Sequence, residues 1–175
     1  GRVYGIPYDH NYVLTIDTAS ASADFGSIGG ILPAMGGASK WKGGALAPGG
    51  KIYCAPFNKD RVLIIDASVG SAGDASSVET DSITGLTGGE KWSGAALAPN
   101  GKLYFAPYNH ISVLSVDPAT NTATEIDTGD DAPGKWSGIV LGPDGKLYCA
   151  LHDASSVLAQ EVPLQLLRLL HRGSI

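Results

Sequence analysis

Cysteine is scarce in this chain: 175 residues contain two, and their placing argues against a cross-link. Cys54 and Cys149 occupy the same place in two copies of a repeated segment, each directly after the Tyr of GKIY or GKLY. If the copies are arranged around an axis, one full copy separates the two thiols, farther than a disulfide spans. Two buried free thiols packing as small apolar residues are the expectation. The cysteine count leaves the redox compartment, and with it the localisation, open.

Other shortages narrow the function classes. No apolar run is long enough to span a bilayer, and no basic, apolar and small-residue succession marks a signal peptide. The chain starts at Gly1 in the middle of a repeat, which reads as a processed product or the visible part of something larger. Twelve Lys and Arg stand singly against seventeen Asp and Glu, so there is no electrostatic footprint for nucleic acid. Nucleophile-elbow GxSxG, phosphate-loop GK[ST] and CxxC motifs are missing. The acidic run 127–131 has neither the spacing nor the terminal Glu of a calcium loop.

What is abundant is glycine, with 24 residues, and repetition. The stretch KWSGAALAPNGKLYFAPYNHISVLSVDPATNTATEIDT (91–128) is echoed from Lys40 as KWKGGALAPGGKIYCAPFNKDRVLIID. It returns from Lys135 as KWSGIVLGPDGKLYCALHDASSVL, and its second half matches GRVYGIPYDHNYVLTID at the start. The glycines of the shared turn, Gly1, Gly50, Gly101 and Gly145, recur at roughly the 40–50 residue period of propeller blades. Short runs of Val, Ile, Leu and Tyr broken by Pro, Gly, Asn and Asp predict strands and turns rather than helices.

Four strands are expected per full unit: 92–98, 102–107, 112–117 and 122–127 in the best-preserved copy. The first unit supplies the last three of them, at 3–7, 13–17 and 23–28. Pro-x-Gly at the first junction predicts tight hairpins, because Pro presets the turn and Gly accepts a positive φ. Gly43-Gly44-Ala45, Gly94-Ala95-Ala96 and Gly138 place small residues in a strand, where glycine normally weakens pairing. That composition predicts that the first strand is innermost, where neighbouring blades converge. Residues 29–39 read as a long connector between blades, with a lid as the alternative. The tail, 159–175, departs from the repeat, and Pro163 there would begin a short helix carrying Leu164, Leu167 and Leu170 on one face.

Alternating strand directions gather the candidate functional residues on one face. Lys40, Trp41, Lys91, Trp92, Lys135 and Trp136 open the first strands, while Asn58, Asn109 and His110 end the second strands. Indole faces can stack sugars and Lys offers a point charge, so this set is the expected ligand-binding surface. A structural role competes with it, in which Trp packs between blades and Lys stays exposed at the turn. Asp9, Asn58, Asn109 and Asp153 stand at equivalent positions; Asx turns account for them, and a shared hard cation is the alternative. His10, His110 and His152 lack a metal-ligand spacing. No metal, cofactor or catalytic residue is expected.

The unit W-S-G-x-x-L-x-P-x-G-K-L-Y-x-A-P-x-N followed by V-L-x-[IV]-D resembles the blade repeats of the NHL, YVTN and lactonase-like β-propellers, over residues 1–158. That resemblance implies an all-β fold of four-stranded antiparallel blades, spanning 1–39 (partial), 40–90, 91–134 and 135–158 (partial). Lactonase-like relatives hold a central divalent metal with acidic and amide side chains. Asp9, Asn58, Asn109 and Asp153 match that set, but no catalytic Glu can be located. Near-identical repeats suit a binding surface better than an active site, which draws different residues from different blades. The expected function is therefore a non-catalytic scaffold or interaction module, taking a protein or glycan partner or a second copy that completes the propeller. A metal-dependent lactonase-like hydrolase is the alternative.

Overall fold

The computed structural model describes residues 1–19, 23–27, 37–67 and 80–163, with the backbone alone at 23–27 and 80–83. Every regular element among them is a β-strand. β1 (Arg2–Gly5), β2 (Tyr12–Asp17) and β3 (Ala23–Ser27) form one antiparallel meander. β4 (Trp41–Leu46), β5 (Lys51–Pro56), β6 (Val62–Asp66) and β7 (Thr80–Ile83) form the second sheet. β8 (Trp92–Leu97), β9 (Leu103–Pro107), β10 (Ser112–Asp117) and β11 (Thr122–Asp127) form the third, and β12 (Trp136–Leu141), β13 (Leu147–Leu151) and β14 (Leu158–Gln160) the fourth. These are β-propeller blades: two with four strands, one without an innermost strand and one without an outermost strand among the described residues. β14 runs two residues beyond the point where the repeat spelling is lost. The expected connector and the short helix expected from Pro163 lie wholly or mostly outside the described residues.

The hairpins follow from their Pro-x-Gly chemistry. At the β8–β9 turn the Gly101 amide donates to the Ala98 carbonyl at 3.0 Å, and Ala98 N donates back to Lys102 O at 2.9 Å. Gly101 takes φ 79°, the left-handed residue that a type I turn with a bulge requires. The same pair of bonds recurs at Gly50 and Gly145.

The glycines inside the first strands have a second role besides being small. Register shifts fall between Trp41 and Gly44, Trp92 and Ala95, and Trp136 and Ile139, so each Trp-x-Gly is a β-bulge. Gly43, Gly94 and Gly138 sit there at φ 84°, 82° and 112°. The bulges bring β4, β8 and β12 together. A Cβ on Gly43 would stand 2.8 Å from the Gly94 Cα, and one on Gly94 would stand 2.7 Å from the Gly138 Cα. The first strand of each blade is innermost, and the blades touch backbone to backbone along this glycine row.

Outward of that row the core lies between blades. Val13, Trp41, Cys54, Leu63 and Ile65 fill the first boundary. Tyr53, Ala55, Val62, Ile64, Trp92, Leu103, Phe105, Leu114 and Val116 fill the second. Ala96, Tyr104, Val113, Trp136, Ile139, Leu147 and Cys149 fill the third. Alternate residues of one strand serve opposite neighbours: Tyr53 faces the third blade while Cys54 faces the first. This explains why β6 is buried along its whole length and β10 at every residue but Asp117, rather than on alternate residues. Cys54 and Cys149 are buried free thiols.

Candidate functional site

The loops entering the first strands and those leaving the second strands meet on one face, sewn together by main-chain bonds. Lys91 N donates to Phe57 O at 2.9 Å, Tyr108 N to Lys91 O at 2.7 Å, and Lys135 N to Tyr108 O at 2.9 Å. Each loop is thus held by the blade before it and holds the blade after it.

The three repeat lysines are inside this seam. Lys40, Lys91 and Lys135 are fully buried, which corrects the expectation of exposed turn residues. Lys91 Nζ donates to Gly88 O at 2.7 Å, Lys59 O at 2.8 Å and Phe57 O at 3.3 Å. Lys135 Nζ donates to Ala132 O at 2.8 Å and to His110 O at 3.0 Å. Lys40 Nζ donates to Asp9 O at 2.8 Å and Gly37 O at 3.1 Å, with Asn11 Oδ1 at 3.4 Å. Each ammonium therefore ties the carbonyl three residues before it to a loop of the preceding blade. Burial depresses all three pKa values; nearby carboxylates, Asp9 for Lys40, Asp60 for Lys91 and Asp130 and Asp131 for Lys135, oppose the shift without cancelling it.

The tryptophans are equally committed. Trp41 Nε1 donates to Arg61 O, Trp92 Nε1 to Ser112 O and Trp136 Nε1 to Ser156 O, all at 2.8–2.9 Å, while the indoles fill the boundaries between blades. With about 150–250 Å² buried per aromatic side chain and about 25 cal/mol per Å², each Trp contributes about 4–6 kcal/mol. The amides cross the same seam. Asn58 Oδ1 accepts from Glu90 N and Asn109 Oδ1 from Gly134 N, both at 2.7 Å, and Asp9 Oδ1 accepts from Ser39 N at 2.6 Å. His110 stacks on Trp92 with ring centroids 4.4 Å apart, and its Nδ1 accepts from Ser112 N at 3.2 Å. The nine residues expected from the sequence are thus brought to one face, where they bond chiefly to their own scaffold. No group of three or more His, Cys, Asp and Glu suited to a metal occurs among the described residues.

Above this frame runs a row of rings that the repeat spelling did not single out. Tyr8, Phe57, Tyr108 and His152 are equivalent residues of successive blades, each just before the Asp or Asn of the seam. Their centroids follow at 6.1, 5.4 and 5.1 Å. Tyr8 and His152 are exposed, Tyr108 is half-buried and Phe57 is buried. Lys42 stands over the row, with Nζ 4.9 Å from the Phe57 centroid and 4.8 Å from that of Tyr108. Comparing the four aligned positions would have revealed the aromatic character. Lys42 carried no such signal, because its counterparts are Ser93 and Ser137.

Solved structures place the fold among known propellers. Virginiamycin B lyase from Staphylococcus aureus superposes with a TM-score of 0.68 at 17% identity, over 93% of this chain and 53% of that one. The fold is a β-propeller. Glutaminyl cyclase from Myxococcus xanthus matches at a TM-score of 0.52 and 15% identity, over 90% of this chain and 67% of that one. An auxiliary nutrient binding protein from Bacteroides ovatus gives 0.58 and 20%, over 86% and 33%. The chain spans about half the length of the lyase it matches. Its propeller neighbours thus include both enzymes and a binding protein. No protein-family model matches this sequence, and neither does any curated protein.

Proposed function

We propose that this chain is a non-catalytic interaction module that binds a glycan or an extended protein segment on the face carrying the Lys-Trp and Asn/His loops. The observation that carries this reading is the ring row of Tyr8, Phe57, Tyr108 and His152 with Lys42 above it. Tyr8, Tyr108 and His152, in one row with the buried Phe57, offer apolar faces to sugar C–H groups or to flat side chains, and Lys42 is a donor for a hydroxyl or carboxylate at their edge. Lys40, Lys91, Lys135 and the three tryptophans serve the site as its rigid frame. Asn58, Asn109 and His110 fix the loops that carry Phe57 and Tyr108. Such a surface needs no group of shifted reactivity, in keeping with amide oxygens that are spent on backbone N–H groups.

The test is calorimetric titration of the chain with a panel of neutral and acidic oligosaccharides and with tyrosine- and arginine-rich peptides. One class should bind, and Lys42→Ala and Tyr108→Ala should each weaken it at least tenfold with unfolding unchanged. Metal-dependent ester or lactone hydrolysis that survives Tyr108→Ala and is lost with Asn109→Ala would establish the lactonase-like alternative instead.

A further inference from the structure

The blades form a series in which each presents one face to its predecessor and another to its successor, and no other blade among the described residues covers the last successor-facing surface. On the second blade this surface consists of Ala47, Tyr53, Ala55 and Val62, and on the third of Ala98, Tyr104, Ala106 and Val113; all are buried by the next blade. The aligned residues of the fourth blade are Gly142, Tyr148, Ala150 and Val157. Val157 is 54% exposed where Val62 and Val113 are 0%, and Val140 is 64% exposed where its counterpart Ala96 is 9%.

Three further details of this blade repeat what the others use to receive a neighbour. Gly43 and Gly94 each abut the glycine of the following blade, whereas nothing lies within 4 Å of a Cβ on Gly138. The Ala154 carbonyl corresponds to Lys59 O and His110 O, the acceptors for Lys91 and Lys135, and no lysine among the described residues donates to it. Asp153 stands where Asn58 and Asn109 accept the amide of the next entering loop. Apolar surface, glycine seat, carbonyl and side-chain acceptor all recur together, continuous with the interface between the third and fourth blades.

We infer that this face is a docking surface for a further blade that opens with Lys-Trp-x-Gly. The occupant must supply an indole for the apolar surface, an ammonium for the Ala154 carbonyl and a bulged glycine to meet Gly138. A second copy of this chain does not offer these. Its own Lys-Trp edges are each covered by a preceding blade, and its first sheet, whose predecessor-facing Val3 is 53% exposed, has no Lys-Trp strand among the described residues. The surface adjoins the ring row only at His152, and its test reads association rather than ligand titration, so the two readings can fail independently.

The experiment gives the chain the missing element. A variant with the sequence KWSGAALAPN, copied from residues 91–100, placed before Gly1 completes the first blade and exposes a Lys-Trp edge. Sedimentation equilibrium at micromolar concentration should show the native chain as a monomer and the extended chain as a defined dimer or larger closed assembly, because head-to-tail contacts between blades close into rings. Adding Val157→Asp, at a position exposed in the monomer, should weaken that association at least tenfold while leaving the β-sheet circular dichroism intact. A Met in place of the Lys of the added segment should weaken it too. An extended chain that stays monomeric overturns the inference. So does equal association of native and extended chains, which would make the occupant a plain second copy, and so does an association insensitive to Val157→Asp.

Discussion

Lys135 reaches across a blade boundary to His110: its Nζ donates to the His110 carbonyl at 3.0 Å from a fully buried side chain. Lys91 does the same to Lys59 O at 2.8 Å. Buried ammonium groups paired with carbonyls rather than carboxylates are costly to desolvate, and they are tolerable because two or three acceptors converge on each. The repeat therefore uses lysine as a donor with long reach. Replacing it by Met keeps the stem and leaves the carbonyls unmatched. Lys91→Met should lose about 2 kcal/mol of unfolding free energy in urea titration. Lys91→Arg should also lose stability, since a planar fork cannot copy three divergent bonds.

The depressed lysine pKa values have a signed consequence. Between the lowered folded value and the free-lysine value, the unfolded chain binds more protons than the folded one, so stability rises with pH in that window. The advantage of the native chain over Lys91→Met should therefore grow as pH is raised from the lowered value towards the ordinary lysine range, and level off below the lowered value, where both states hold the proton. Urea titrations of both proteins at several pH values check this, and a flat difference would remove burial as the cause.

The glycine row separates two effects that a single substitution usually mixes. Gly101 has φ 79° with open space around it, while Gly94 has φ 82° and a Gly138 Cα 2.7 Å from its would-be Cβ. Gly101→Ala should cost about 1–2 kcal/mol, the left-handed penalty alone. Gly94→Ala should cost clearly more, because two backbones must move apart at the axis. Thermal unfolding of the pair gives the comparison directly.

Thiol chemistry reports on the boundaries between blades. Burial pushes the Cys54 thiol far up and the Cys149 thiol to about 12, so neither supplies thiolate near neutral pH. Labelling by a disulfide reagent at pH 8 should be negligible in buffer and should release two thiols per chain through the urea transition. Fast labelling of Cys149 alone would show that the third boundary opens by itself.

Much of this architecture is legible in the spelling, because turn chemistry is local. Pro-x-Gly foretells the hairpins around Gly50, Gly101 and Gly145, and the β10 and β11 bounds coincide with the expected 112–117 and 122–127. Small residues mark the innermost strand for the same reason: crowding at an axis leaves a compositional trace. The lysines escape such reading. A Lys at a strand entrance looks solvated, and only the convergence of carbonyls from two blades makes burial of Lys91 tolerable. Phe57 and Tyr108 escape it differently. Their ring character recurs with a different residue type in each blade, so the row becomes visible once the loops are stacked in space.

The account divides the face into a buried frame and a partly exposed row of rings, and one paired measurement tests that division. Trp92→Ala and Tyr108→Ala are compared by thermal unfolding and by titration with whichever oligosaccharide or peptide the native chain binds. Trp92 is fully buried, so its loss should cost about 3–5 kcal/mol and bring unfolding well below that of the native chain. Tyr108→Ala should unfold within a few degrees of the native chain and bind at least tenfold more weakly. A folded Trp92→Ala of native stability that has lost binding, beside a Tyr108→Ala that binds normally, would contradict it.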